Sequence, residues 1–220
     1  MISKYLKPKN TLEQIQSPLD DEQLLKSNGE RWYLKAYPGN ELYYLEDQFN
    51  DDEILIIKAI AKKLPKERST VGNRNKENED YRRSTTTWIN INDSTSWIYK
   101  KLTSLVNQVN SNYFNFDLDY ISTLQFTEYY CDENMYKPHI DCIFSSNPEN
   151  RKLTFVIQLS DPSEYKGGDL MLYYNKTPTC IKKQKGSIVF FPSYVLHEVT
   201  PVTDGKRDTL VGWVEGLQFR

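Results

Sequence analysis

Only two histidines occur in this chain, His139 and His197, and the first stands two positions before a carboxylate in the stretch YKPHIDCIF, residues 136–144. In a β-strand, residues i and i+2 project from the same face. His139 and Asp141 are therefore expected to enter one cavity together, with Ile140 and Cys142 on the opposite side. His197 is expected at the start of the penultimate strand, where a jelly roll can bring it beside the first pair. Two imidazoles and one carboxylate form a facial ligand set that suits octahedral non-haem Fe(II) and leaves half of its positions open to reactants. A lone histidine on a strand is more often a satisfied core or surface residue. The weight here comes from both histidines falling at positions that suit one metal.

Shortly beyond His197 comes Arg207. An Fe(II) with open positions can take a 2-oxo acid through a carboxylate and a keto oxygen, and the far carboxylate then needs a cation. The planar fork of arginine matches a carboxylate bidentately. Lys206 is the alternative, with Arg207 as a surface charge after the turn TDGK.

These residues need a frame. From Ile121 onward, short β-rich runs (ISTLQFTEYY, KPHIDCIF, KLTFVIQLS, GGDLMLYY, CIKKQ, GSIVFFPS, HEVTPV, DTLVGWVEG) alternate with turn signals such as NPEN, YKGG and TDGK. That pattern predicts a double-sheet antiparallel jelly roll over residues 121–216. Upstream, NDDEILIIKAIAKKLP reads as a helix with acidic residues in its first turn, Ile54, Ile57, Ala61 and Leu64 on one face, and Pro65 as its stop. A second helix is expected from Ser96 to Tyr113, with Ile98, Leu102, Leu105, Val106 and Val109 on its apolar face. Both would pack outside the barrel, giving a mainly β fold with flanking helices. The charged segment 66–84 has little to bury and reads as a long loop, either a lid over substrate or a disordered surface loop. Residues 1–50 read as short N-terminal strands in an extension, WYLKAYPGNELYYLEDQF, broken at Pro38 and Gly39. The whole, 1–220, is expected to be one domain, with 51–113 as helical support.

Composition narrows the partners. Charged residues make up 26% and the net charge is −2, so no global field draws the protein to nucleic acid or to a membrane surface. No stretch approaches the roughly 18–20 apolar residues that cross a bilayer. MISKYLKPKN lacks the apolar core of a signal peptide, so a cytoplasmic protein is expected. Cys131, Cys142 and Cys180, odd in number and without CxxC spacing, are expected to be reduced and to act as small buried apolar residues.

The run LQFTEYYCDENMYKPHID … RKLTFVIQLSDPSEYKGGDL … KGSIVFFPSYVLHEVTPVTDGKRDTLVGWVEG resembles the iron- and 2-oxoglutarate-dependent oxygenases of the prolyl 4-hydroxylase superfamily, in particular the small PKHD-type hydroxylases of bacteria and phages. The resemblance extends from about Ile121 to Gly216. It implies a double-stranded β-helix, with His139, Asp141 and His197 as ligands of Fe(II) and Arg207 on the distal carboxylate of 2-oxoglutarate. It also implies that Tyr130 reaches that cosubstrate through its hydroxyl, with Tyr129 as the alternative and an aromatic core pair as the plain reading of both. Where relatives carry glycine between that tyrosine and the histidine, this chain has CDENMYKP, and Asn134 is expected to supply a positive φ. Trp213 is expected either to line the pocket or to sit in the core, with the core as the plain reading, and Gly167 and Gly168 are expected in the turn into a strand near the site's mouth. The implied activity is hydroxylation of an unactivated C–H bond with molecular oxygen, yielding succinate and carbon dioxide, with ascorbate as reductant. A peptidyl proline is the substrate the resemblance suggests; another protein side chain or a free amino acid stays open. The alternative is a metal- and 2-oxo-acid-binding sensor without turnover.

Overall fold

Asn50 begins the first helix by accepting the Glu53 amide on its side chain, while the Glu53 carboxylate accepts the Asn50 amide in return. In the computed structural model, which describes residues 42–68, 81–132, 134–142, 149–174 and 177–217, the chain order is as follows. Strand β1 (Tyr43–Leu45) precedes helix α1 (Asp51–Lys62), then come β2 (Glu67–Arg68), β3 (Arg82–Arg83), β4 (Thr85–Ile89) and helix α2 (Ser96–Val109). The barrel strands follow: β5 (Tyr120–Ile121), β6 (Leu124–Tyr130), β7 (Met135–His139), β8 (Glu149–Gln158), β9 (Tyr165–Gly167) and β10 (Leu170–Leu172). The last are β11 (Thr179–Cys180), β12 (Ile188–Pro192), β13 (His197–Val199) and β14 (Val202–Leu217). One sheet runs β1-β12-β8-β14-β6-β4-β2 and the other β11-β10-β13-β7-β3, with β5 and β9 attached to β14. The pairings are antiparallel throughout. This is the expected jelly-roll core with two helices outside.

Strand alternation divides the large sheet into two faces. Leu124 and Phe126 on β6, Leu153, Phe155 and Ile157 on β8, Ile188 and Phe190 on β12 and Leu210 on β14 form one cluster with Ile54, Ile57, Ile98, Leu102 and Val106 of the helices. The intervening residues, among them Tyr129, Val189, Phe191 and Val202, face the second sheet and join Leu170, Leu172 and Val199 there. The apolar spacing of both helices thus docks them on the outer face and leaves the inner face for polar chemistry.

Several details depart from the sequence reading. The second helix ends at Val109 and widens into a π-turn over Asn110–Phe114. Asn110 causes this: its side chain both accepts the Phe116 amide and donates to the Phe116 carbonyl, and Asn115 takes φ 55°. TDGK is no hairpin turn, because β9 pairs with Val202–Gly205 and carries the ladder through it as a bulge. CIKKQ contributes only Cys180, the second residue of the short strand Thr179–Cys180. Cys142 is buried as expected, but Cys131 and Cys180 are exposed. Most of the expected N-terminal strand region lies outside the described residues, as does 69–80 of the charged segment. The ends of that segment are not loop: β2 edges the large sheet and β3 the small one.

Gly205, at φ +70°, makes the bulge possible; a Cβ there would lie 1.9 Å from the Glu164 carbonyl oxygen. Gly205→Ala is expected to lower stability by more than about 1 kcal/mol, the ordinary cost of a left-handed non-glycine residue. Urea unfolding measures it, and an unchanged midpoint would contradict the bulge's role.

Candidate active site

The two histidines meet because β7 ends where β13 begins: His139 and His197 are direct cross-strand partners, with ring centroids 4.2 Å apart. Asp141 joins them differently from the expectation. The strand stops at His139, and the amides of Asp141 and Cys142 both donate to the Ser193 carbonyl, at 2.8 and 3.0 Å. This turn brings Asp141 inward, and it buries Cys142 while exposing Ile140, so those two do not share a face. Thr154 Oγ1 donates to Asp141 Oδ2 at 2.8 Å and also contacts Ser193 Oγ at 2.9 Å.

Each imidazole is oriented by the carbonyl two residues before it. His139 Nδ1 lies 2.8 Å from the Lys137 oxygen and His197 Nδ1 2.9 Å from the Val195 oxygen. A carbonyl only accepts, so a neutral ring carries its proton on Nδ1 and its lone pair on Nε2. Both Nε2 atoms face Asp141, at 3.8 Å from Oδ1 and 3.4 Å from Oδ2. Ligand atoms from the three residues lie within 4.8 Å of one another. Burial, reinforced by the neighbouring His197, pushes His139 down to about 3, which keeps it neutral. Burial acts to raise Asp141, but attraction to the two imidazoles in their protonated form, with the Trp213 indole N–H and the Thr154 hydroxyl, outweighs it and holds the carboxyl below its usual range. The indole contributes without closing a hydrogen bond of its own. Two lone pairs and a buried carboxylate aimed at one point, with carbonyls fixing the rings from behind, are the donor set of a divalent cation, so these residues fit Fe(II).

The cluster opens into a cavity of about 230 Å³ between the sheets. Arg207 lines it and is 3% exposed. Its guanidinium stands over the Tyr129 ring, and its Nε has no hydrogen-bond partner. No described carboxylate forms an ion pair with it. Strand register separates the members of the two residue pairs by face. Arg207 is opposite Tyr129 and Lys206 opposite Tyr130, and cross-strand partners share a face. Lys206 therefore points outward, bridging Glu128 at 2.9 Å and Asp208 at 3.0 Å. Tyr130, expected at the cosubstrate, is 37% exposed and donates to Glu128 on the same outer face. Tyr129 occupies the inner position.

Asn134 does not supply a positive φ; the left-handed non-glycine residues among those described are Asp47 and Asn115. Its carbonyl instead accepts the Val202 amide and its own amide reaches Tyr130 O, so the turn is held by hydrogen bonds in place of a glycine. Trp213 is buried as expected but forms cavity wall, with Arg151 stacked 3.8 Å from its ring. Gly168 (φ +62°) packs against the Arg207 stem, where a Cβ would stand 3.0 Å from Cδ. Sequence reasoning missed Arg82, Gln125, Tyr136, Arg151 and Thr154, all in the lining. Strand alternation from Phe155 inward and from Phe126 inward was the available signal for Thr154 and Gln125.

Residues 124–215 match the family model of the 2OG-Fe(II) oxygenase superfamily. A PKHD-type hydroxylase of Prochlorococcus marinus is 39% identical over 82 residues, 37% of this chain and 37% of that protein. One from Rippkaea orientalis is 37% identical over 84 residues, 37% and 38% of the two chains. The chain thus spans well under half the length of these curated relatives. Among solved structures, a Pseudomonas putida prolyl-4-hydroxylase superposes with a TM-score of 0.62 at 19% identity, covering 79% of this chain and 91% of that one. A Trichoplax adhaerens prolyl hydroxylase in complex with a hypoxia inducible factor peptide fragment does so at 0.65 and 18% identity, covering 80% and 83%. The barrel of this chain is thus similar over residues 124–215 to the 2OG-Fe(II) oxygenase superfamily, whose name carries both Fe(II) and 2-oxoglutarate, and it shares the fold of the prolyl hydroxylases.

A cation bound only by the folded state raises stability, by about 2.7 kcal/mol at a hundred times its dissociation constant. Mn(II) is expected to raise the thermal unfolding temperature of the wild type, and to leave Asp141→Ala and His197→Ala unmoved while both remain folded. An undiminished shift in both variants would take the cluster out of metal binding.

Proposed function

We propose that this protein is an Fe(II)- and 2-oxoglutarate-dependent dioxygenase that hydroxylates an unactivated C–H bond of a peptidyl prolyl residue. The observation that carries this reading is the coexistence, in one cavity, of the His139–Asp141–His197 donor set and an arginine without a described carboxylate partner. In this reading His139, Asp141 and His197 hold the iron, and Arg207 takes the distal carboxylate of 2-oxoglutarate. Tyr129 replaces Tyr130 as the aromatic neighbour of that carboxylate. Iron with 2-oxoglutarate supplies oxidative decarboxylation to succinate and carbon dioxide and the oxidising power for C–H cleavage. The chain itself orients and excludes water. Backbone carbonyls of Lys137 and Val195 aim the rings, Thr154 holds one Asp141 oxygen, and the Tyr136 ring lies flat on His139 at 3.4 Å. Ascorbate serves as reductant, and the N-terminal and helical segments belong to the same domain. No described helix is long and apolar enough to cross a membrane, and a cytoplasmic peptide or protein is the substrate pool we favour.

Succinate release from 2-oxoglutarate on addition of Fe(II), ascorbate, oxygen and a prolyl peptide library tests the reaction. Tight 2-oxoglutarate binding without any release would select a sensor in its place. For the cosubstrate, Arg207→Lys keeps the charge but loses the bidentate fork, and affinity for 2-oxoglutarate is expected to fall roughly ten- to a hundredfold. Calorimetry on the Mn(II)-loaded protein under argon measures it. Lys206→Ala is expected to leave that affinity unchanged and to cost stability, roughly 1–2 kcal/mol, because buried Glu128 and Asp208 each lose a lysine partner while keeping another. The reverse pattern would move the cosubstrate to Lys206.

A further inference from the structure

Three arginines line the cavity, Arg82, Arg151 and Arg207, against one carboxylate, Asp141. On the reading above, a divalent cation and dianionic 2-oxoglutarate cancel, and Arg207 offsets Asp141. Arg82 remains without a counter-charge, and Arg151 has only the attraction of Glu215, its cross-strand partner on β14, which forms no ion pair with it. Arg82 donates from Nη2 to Gln125 Oε1 at 2.8 Å and from Nε to Ser84 Oγ at 3.1 Å, both neutral partners, and its guanidinium lies 4.4 Å from the Tyr136 ring centroid. Arg151 rests on Trp213, and its buried Nε has no partner. Neither pairs with a carboxylate among the described residues. Half-buried cations of this kind are costly unless a ligand completes them.

Their place in the cavity indicates which ligand. Arg207 and Trp213 stand six positions apart on β14, about 20 Å along the strand. Thr154, which holds Asp141, is the cross-strand partner of Trp213. Tyr136 touches Arg82 on one side and stacks on His139 on the other. Arg151, on Trp213, therefore stands at the end of the cavity away from Arg207, and Arg82 stands beside the metal-binding cluster across the Tyr136 ring from His139. They are half-exposed where Arg207 is buried, so they meet the molecule that enters last. Both forks keep N–H groups for which no partner occurs among the described residues, and planar guanidinium forks select carboxylates.

We infer that Arg82 and Arg151 form a substrate subsite for a carboxylate next to the carbon to be hydroxylated. The inference rests on the hydroxylase reading and narrows its substrate to acidic peptides. The carboxylate has two sources, a glutamate or aspartate beside the proline or a free C-terminus at the proline itself.

The test uses the full chain loaded with Mn(II) and 2-oxoglutarate under argon, titrated calorimetrically with alanine-based peptides containing one proline. One set, capped at both ends, carries Glu or Gln on either side of the proline; a second ends at the proline as free acid or amide. In at least one set the acid is expected to bind roughly ten- to a hundredfold more tightly than its neutral partner, the range for a charge-assisted pair. The set that shows the gap identifies the source. The gap is expected to close to within about threefold in Arg82→Gln and in Arg151→Gln, and to persist in part in Arg151→Lys, with 2-oxoglutarate affinity reporting that each variant is folded. Acid and neutral peptides binding alike in both sets would overturn the subsite, as would a gap that survives both glutamine variants. Succinate release with Fe(II) and oxygen separates the two claims. Turnover indifferent to peptide charge leaves the hydroxylase and removes the subsite. Arginine-dependent acid binding without turnover leaves the subsite and removes the hydroxylase.

Discussion

A buried carboxylate faces two imidazole nitrogens whose protons have been drawn to the far side of their rings, and the centre of this fold is arranged around that contact. Asp141 lies within 4 Å of both Nε2 atoms, an arrangement in which anion and lone pairs repel one another unless a cation stands between them. The surroundings hold it in place. Two strand carbonyls fix the rings, the Ser193 carbonyl fixes the Asp141 backbone, and Thr154 fixes one carboxylate oxygen. Such second partners orient ligands before a metal arrives, so little reorganisation is needed on binding.

The rest of the architecture follows from keeping this cluster dry and open on one side. Alternation in β6, β8 and β14 gives the helices an apolar patch to dock on and gives the cavity Gln125, Thr127, Tyr129, Thr154, Arg207 and Thr209. The same alternation puts Lys206 and Tyr130 outside, where Glu128 and Asp208 hold them in a network with Lys58 and Lys66. The outer network and the inner cavity thus share strands without sharing charges.

Legibility in the sequence followed the rarity and the local determination of each feature. With only two histidines in the chain, their pairing was a short inference, and the helices were legible because their apolar spacing is read within a few turns. Tyr129 against Tyr130 was not decidable, because adjacent strand residues exchange faces with a one-residue shift and the register is fixed by β14, far along the chain. Asp141 was assigned to the right cavity for an incomplete reason: the strand had ended, and a hydrogen-bonded turn did the work attributed to the pleat. Arg82 sits in a charged segment that reads as a loop, lid or surface, in which no one charge stands out, and Arg151 precedes the apolar run of β8, so the sequence singles out neither. Only the approach of β3 to β7 and the bulge between β14 and β8 bring them inward.

Because the chain has two histidines, its imidazole nitrogens can be followed individually by long-range proton–nitrogen NMR. In metal-free protein at mildly alkaline pH, both rings are expected to carry hydrogen on Nδ1 with Nε2 unprotonated, and one equivalent of Zn(II), a diamagnetic stand-in for Fe(II), is expected to shift both Nε2 resonances together. A ring protonated on Nε2 in the metal-free state, or a metal that moves only one histidine, would contradict a cation site built from His139, Asp141 and His197.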